Sequence, residues 1–414
     1  MRGSRRAPET LPLLLPRLLT RGAFYGATAG LAAGLASVCY RMLLAGAEVA
    51  SMRALAGGAA SLALLLPLWA AGGLAIGWIM EREPVARRGG VAQVRRELDA
   101  SGPGMSWLRV IVAKFAAGSL GIALGMSLGR GGPSVQIGAA AGKGTARALG
   151  VAGDGERSLM AAGAAAGLSA TFNAPIAGAV FALEVACGAP SVGVVAAVVV
   201  ASQIAGLVAA LAFGPGPLFS FGGAAVPPAA LLWHFPVMGA LCGVASVLFE
   251  RSMRGLDLLY GRLPAPARLR PAIPAMLALA VADLMPVALA GGHGMVESVG
   301  AGGYDPSTLL SAFAVKMAFT AVCICSEAAG GLFYPMLASG AALGALYGAL
   351  FCPEWQVGFL IAGMAGMISG VMRAPATGVL LAAEMTAAPA HMLPAALAAI
   401  ASFAVVRGLS GEGE

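Results

Sequence analysis

Long apolar stretches recur from one end of this chain to the other, with few charges inside them. Only 11% of the 414 residues are charged, against about a quarter in a typical soluble domain, so most of the surface has to face lipid. Backbone groups in lipid need internal partners, which favours helices, and no barrel-type alternation over segments of about ten residues appears. The chain is therefore predicted to be an all-α, polytopic membrane protein. The apolar stretches are 22–47, 54–80, 107–128, 158–185, 189–213, 229–249, 271–290, 307–325, 331–351, 357–371 and 374–406.

Basic residues concentrate in three places outside the apolar stretches. Arginines fill residues 2–21, the loop 82–96 and the loop 251–270. Such clusters mark the cytoplasmic side of a membrane protein. The sequence therefore predicts a multi-pass protein of the cell inner (plasma) membrane with a cytoplasmic N-terminus. Basic residues that flank membrane segments on the cytoplasmic side explain the net charge of +7 better than nucleic-acid binding does. The lipid bilayer is therefore an expected partner, and nucleic acid is not.

The sequence also contains an internal repeat. Residues 161–184 match residues 361–384 at an offset of 200, and residues 129–140 match residues 331–342 at an offset of 202. Each half thus carries a segment broken by Gly and Pro, followed by an Ala-Pro segment that ends in Glu. Paired broken segments in two halves of a membrane protein indicate a transport site near the midplane. The predicted divisions are an N-terminal cytoplasmic segment at 1–21, repeat halves at 22–213 and 214–406, and a C-terminal tail at 407–414.

Each half contains a Gly-rich turn that ends in Pro, Gly129–Pro133 in the first and Gly330–Pro335 in the second. A helix that begins inside the membrane presents free backbone N–H groups and the positive end of its dipole, which together favour anions. Pro fits the first helical turn because its missing N–H would be unused there. Two facing helix starts are predicted to hold an anion well enough to offset its dehydration and weakly enough to release it. Packing glycines are the alternative that these residues leave open.

No catalytic or metal-binding motif stands out in the sequence. The three histidines, His234, His293 and His391, are far apart, and none has a metal-ligand partner at helical spacing. The sequence contains neither His-Glu-x-x-His nor Gly-x-Ser-x-Gly. The chain is therefore predicted not to be an enzyme, and no metal or cofactor is expected.

Together these segments resemble the CLC family of chloride channels and transporters. Gly129-Arg-Gly-Gly-Pro133 is similar to the family's G-R-E-G-P signature, and Gly331-Leu-Phe-Tyr-Pro335 is similar to its G-x-F-x-P signature. Lys114 and the Ala-Pro segments at 172–178 and 373–386 fit further family features in the same order. The resemblance implies CLC-type inverted repeats with broken and tilted helices. It also implies a homodimer with a separate pathway for chloride or another small anion in each subunit.

The resemblance implies an anion site built from three short segments. The corresponding residues are Gly89, Gly90 and Val91, then Arg130, Gly131 and Gly132, then Leu332, Phe333 and Tyr334. The family's gating glutamate falls at Gly131, its anion-coordinating serine at Gly89, and the internal proton-relay glutamate of its exchangers at Val185. Backbone amides are expected to replace the missing side-chain ligands, and Gly131 is expected to leave the outer anion site open.

Without a gating or relay carboxylate, the expected function is passive, proton-uncoupled conduction of chloride-like anions. One alternative is a transporter or exchanger that uses a substitute carboxylate such as Glu327, and another is a non-conducting scaffold or regulatory protein. Glu327 either serves transport or pairs with a nearby Arg or Lys. Tyr334 either donates its hydroxyl to an anion or packs in the core. Glu184 and Glu384 end matching segments, which favours a structural hydrogen-bonding role.

Overall fold

A computed structural model of the protein describes residues 11–57, 59–102, 104–188, 190–221 and 223–410. Within these ranges the regular structure is helical, apart from one bridge between two single residues. The α-helices are α1 (Leu11–Leu55), α2 (Ala59–Leu64), α3 (Leu66–Arg82), α4 (Val91–Leu98), α5 (Trp107–Ala123), α6 (Gly131–Ala148), α7 (Asp154–Phe172), α8 (Pro175–Phe181), α9 (Val192–Phe213), α10 (His234–Arg262), α11 (Ala272–Leu284), α12 (His293–Gly300), α13 (Pro306–Cys325), α14 (Phe333–Phe351), α15 (Gln356–Met372), α16 (Pro375–Thr386) and α17 (Met392–Leu409).

Several of these helices are long and apolar enough to cross a membrane, which confirms the predicted all-α polytopic class. Pro175 begins α8, and Pro335 lies in the first turn of α14, where a missing N–H costs nothing. α1 already begins at Leu11, inside the predicted N-terminal segment, and residues 1–10 lie outside the described residues. Among the described residues the candidate spans are Leu15–Leu55, Val192–Phe213, Ala229–Arg262, Pro306–Cys325, Phe333–Phe351, Pro353–Met372 and Pro389–Leu409.

The two halves repeat the same order of helices, with α4–α8 corresponding to α12–α16. The short helices α4 and α12 each begin after a glycine in the left-handed region, Gly90 with φ +88° and Gly292 with φ +101°. Glycine adopts this conformation without the steric cost that other residues carry. These glycines are 202 residues apart, so the structural repeat extends upstream of the motifs that reveal it in the sequence.

A buried lysine holds the loop before each short helix. Lys114 of α5 donates to the carbonyl of Arg88, and Lys316 of α13 donates to the carbonyls of Ala288 at 3.0 Å and Ala290 at 2.8 Å. Both lysines are completely buried. A buried ammonium without acceptors is costly, so each lysine and its loop hold each other in place.

Glycines allow the helices behind the two starts to pack closely. Gly138 of α6 lies against Gly163 of α7, and Gly340 of α14 lies against Gly363 of α15. A Cβ at any of these four positions would overlap the backbone of the facing helix. Small residues permit this close packing in membranes, and it fixes the directions in which α6 and α14 point.

Two glutamates cap helices of the opposite half. Glu184 accepts a hydrogen bond from the Thr377 amide of α16 at 2.9 Å, and Glu384 accepts one from the Ala177 amide of α8 at 2.6 Å. A carboxylate at a helix start satisfies free amides and complements the helix dipole. The structural role expected for this symmetric pair is confirmed.

Removing one of these caps tests their contribution to stability. Glu384→Ala is expected to lower the free energy of unfolding in detergent by about 1 to 2 kcal/mol, because the first-turn amides of α8 lose their acceptor. Chemical or thermal unfolding of the purified protein measures the change. Glu354→Ala is the control, because Glu354 is exposed. Equal stability of the two variants would contradict the capping role.

Candidate anion site

The starts of α6 and α14 are joined through their backbones. Gly129 and Gly331 form an isolated antiparallel bridge in which each N–H donates to the other's carbonyl at 2.7 Å. A Cβ at Gly129 would lie 2.8 Å from the Gly331 oxygen, so this approach requires glycine. The bridge brings the two helix starts face to face.

Each helix start presents three amides that precede its first helical hydrogen bond. These first bonds run from the Ser134 N–H to the Arg130 carbonyl at 3.0 Å and from the Met336 N–H to the Leu332 carbonyl at 2.9 Å. Proline occupies the position just before each of these donors and has no N–H. The three amides before each proline have no helical acceptor. They belong to Arg130, Gly131 and Gly132, and to Leu332, Phe333 and Tyr334.

The loop before α4 completes this group. A Cβ at Gly89 would lie 3.4 Å from the Gly331 Cα and 4.0 Å from the Gly132 Cα, which is ordinary van der Waals contact. Gly90 caps α4 and Val91 begins it. The structure therefore brings together the three segments predicted for the anion site, while anion binding by their amides stays a prediction.

Aromatic rings occupy the space beside Gly131. A Cβ at this position would lie 2.8 Å from two ring carbons of Phe172 and 2.9 Å from the Phe333 Cβ. The Phe172 ring stacks on Tyr334, with centroids 5.1 Å apart and planes at 24°. All three aromatic side chains are buried. The Phe172 ring therefore lies where a side chain at position 131 would begin, while an open outer anion site at Gly131 stays a prediction.

Arg130 holds the outer edge of this aromatic group. Its guanidinium donates a hydrogen bond to the Tyr334 hydroxyl and lies 4.5 Å from the centroid of the Tyr334 ring. A cation over an aromatic face is attracted by the ring quadrupole. Tyr334 thus takes the packing role, and its hydroxyl is engaged as an acceptor.

Two cavities meet the first turn of α14. One, the Glu48 cavity, has a volume of about 20 Å³, room for about one water molecule, and its polar lining is Glu48, Arg130, His293 and Tyr334. The other, the Glu250 cavity, measures about 280 Å³, and its lining includes Glu250, Met253, Leu332 and Arg373. Tyr334 lines the Glu48 cavity and Leu332 lines the Glu250 cavity. Phe333 is the residue between these two in the sequence.

Glu327 and Val185 lie apart from these helix-start amides. Glu327 forms salt bridges with Arg87 at 3.0 Å and Arg270 at 3.6 Å, so the pairing alternative is the one observed. Val185 lies half-buried in the π-helical turn Ala182–Ala186 after α8. No carboxylate at position 185 is available to relay a proton.

Glu48 and His293 were not predicted from the sequence. Neither belongs to a recognisable motif, and Glu48 is 82 positions from Arg130, with which it shares a cavity. One signal was present in the sequence, since an ionisable residue in a membrane helix marks a functional position by default. Among the described residues no three His, Cys, Asp or Glu side chains form a metal-binding group.

The fold and site define a multi-pass membrane protein whose two repeated halves bring together helix starts that contribute residues to two cavities. The family profile described as "Voltage gated chloride channel" matches residues 72–407. The H(+)/Cl(−) exchange transporter ClcA of Vibrio parahaemolyticus is 32% identical over 369 residues, covering 84% of this chain and 79% of the relative. ClcA of Cronobacter sakazakii is 30% identical over 355 residues, covering 81% and 75%.

Solved structures share the fold. A slow cyanobacterial Cl−/H+ antiporter superposes with a TM-score of 0.86 at 24% identity, covering 96% of both chains. A CLC-type fluoride/proton antiporter superposes with a TM-score of 0.77 at 18% identity, covering 96% of this chain and 97% of the other. The protein belongs to the voltage-gated chloride channel family, also called the CLC family.

These comparisons correct the predicted function. Passive, proton-uncoupled conduction was inferred from the missing carboxylates at Gly131 and Val185, but the named relatives are H(+)/Cl(−) exchange transporters. The inference failed because two absent carboxylates do not exclude proton coupling through other titratable side chains of the chain.

The crowding around Gly131 can be tested directly. Gly131→Ala is expected to destabilise the protein by about 1 to 3 kcal/mol, because the added methyl group overlaps Phe172. The double variant with Phe172→Leu is expected to recover part of this loss. Gly291→Ala is the matched control, since its Cβ would meet only atoms at 3.6 Å or beyond. Unfolding in detergent measures all three, and equal stability of Gly131→Ala and Gly291→Ala would contradict the described packing.

Proposed function

We propose that the protein exchanges chloride-like anions for protons across the cell inner membrane. The proposal rests on the two joined helix starts, which offer six amide donors at a point flanked by two cavities. Amides at helix starts attract a small anion without a permanent ion pair, so the anion can leave again. The exchange activity of the ClcA relatives supports proton coupling.

The distribution of arginines supports an orientation for the pathway. The segments 82–96 and 251–270 are rich in arginine, and Arg88 of the first pairs with Asp257 of the second at 2.5 Å. The positive-inside rule supports placing this region, and with it the Glu250 cavity, on the cytoplasmic side. Glu48 lies roughly 55 Å along α1 from Leu11 at about 1.5 Å per residue, which supports placing the Glu48 cavity on the outer side.

Homodimer formation belongs to the same proposal. Apolar side chains remain exposed on α8, α9 and α17, among them Ile176, Leu207 and Ile400. Such a face suits either lipid or a second copy of the chain, and the CLC resemblance supports the second copy. Each subunit would carry its own pathway, because the three site segments come from one chain.

Simultaneous flux measurements in proteoliposomes test the exchange. An outward chloride gradient is expected to drive proton movement against a proton gradient, because a tenfold gradient supplies about 1.4 kcal/mol for each anion. A protonophore should collapse the pH change and leave chloride movement intact. Protein-free liposomes are the control. Chloride movement without any uphill proton movement would contradict the proposal.

A further inference from the structure

The Glu48 cavity holds a carboxylate that no recognised motif contains. Glu48 lies near the C-terminal end of α1 and lines the cavity with Arg130 and Tyr334. Among the described residues no hydrogen bond or salt bridge to the Glu48 carboxylate is found, and its side chain is half-buried. An uncommitted carboxylate beside the arginine at a helix start is free to change its protonation state during transport.

The other glutamates near the site are already engaged. Glu184 and Glu384 accept hydrogen bonds from helix-start amides. Glu327 is held by two arginines, and Glu250 is paired with Arg254 at 2.7 Å. Protonating any of these would break a structural interaction. Among the glutamates of the site and its two cavities, Glu48 is the one whose protonation breaks no observed bond.

The charges around Glu48 come from four other helices and from α1 itself. Arg41 lies two turns earlier on α1, Arg130 begins α6, and His293 begins α12. Lys316 on α13 and Tyr334 on α14 also lie within electrostatic reach of Glu48. The His293 imidazole approaches Glu297 at 3.4 Å and leaves its Nδ1 without a hydrogen-bond partner. His293 is therefore the rival titratable group at this cavity.

We propose that Glu48 binds the exchanged proton and that its ionised form opposes anion binding at the start of α6. The inference rests on the proposed exchange and names the group that couples it. With Glu48 ionised, its negative charge repels the anion and offsets the positive charge of Arg130, which lines the same cavity. When Glu48 takes up a proton, the carboxylate becomes neutral and this repulsion is lost. Proton uptake forms one O–H bond on the carboxyl group and proton release breaks the same bond, so a complete cycle leaves Glu48 unchanged.

Chloride binding at two pH values tests this competition without requiring transport. Isothermal titration calorimetry of the purified protein is expected to give severalfold tighter binding at pH 4 than at pH 7.5. Complete neutralisation is worth about tenfold, the effect of two unit charges about 12 Å apart at an effective dielectric constant near 20. Glu48→Gln should bind with the tighter affinity at both pH values. Glu48→Asp keeps a carboxylate and should retain the pH dependence.

Two controls separate Glu48 from other groups. His293→Gln should keep the pH dependence, because the histidine is not the competing charge. Glu81→Gln alters an exposed residue at the end of α3, and it should behave as the parent protein does. If Glu48→Gln keeps the pH dependence, or if His293→Gln loses it, the assignment to Glu48 is overturned.

Flux measurements then distinguish the two proposals. If the parent protein couples chloride to protons, Glu48→Gln should still move chloride but should lose at least about 90% of its uphill proton flux. Unchanged coupling in Glu48→Gln would overturn the role of Glu48 and leave the proposed exchange standing. If the parent moves chloride alone, the exchange proposal fails and Glu48 is no proton carrier, while the calorimetry still decides whether Glu48 competes with the anion.

Discussion

The backbone bridge between Gly129 and Gly331 is the contact on which the site depends. Two reciprocal N–H to carbonyl bonds at 2.7 Å join segments from the two halves of the chain. The close packing of α6 on α7 and of α14 on α15 aims both helices at this bridge. The buried lysines Lys114 and Lys316 fix the loops alongside it. The proposed anion site thus depends on how the two repeated units meet.

Features with local chemistry were predictable from the sequence. Gly and Pro at 129–133 and 331–335 predict helix starts, because their backbone preferences act within a few residues. The Glu184 and Glu384 pair was predictable from the repeat. The second-half loop at 289–292 was not predicted, although it lies 202 residues after the first-half loop at 87–90, because the two loops share only a Gly-Gly pair in a chain rich in glycine.

Features that arise from tertiary packing were not predictable. The Phe172 ring reaches Gly131 from the end of α7, and no spacing rule connects the two positions. Glu48 lines the same cavity as Arg130 although the two residues are far apart in the sequence, and no spacing rule connects them either. Comparing motifs therefore showed that position 131 has no carboxylate. It did not predict the Phe172 ring beside Gly131 or the Glu48 carboxylate in the cavity that Arg130 lines.

A buried aromatic group lies beside Gly131. Phe172 contacts both Phe333 and Tyr334, and Arg130 donates a hydrogen bond to the Tyr334 hydroxyl. These aromatic rings carry no charge, so they cannot themselves exchange a proton for an anion. The proposed proton-binding group is therefore sought outside position 131, which is compatible with the H(+)/Cl(−) exchange named for the ClcA relatives.

The location of the bound anion tests the account most directly. Bromide replaces chloride in crystals and gives an anomalous signal that identifies its position. The account predicts a bromide peak at the joined starts of α6 and α14, within hydrogen-bonding distance of the amides of Gly132 or Phe333. A well-occupied bromide elsewhere in the chain, with no peak at these helix starts, would contradict it.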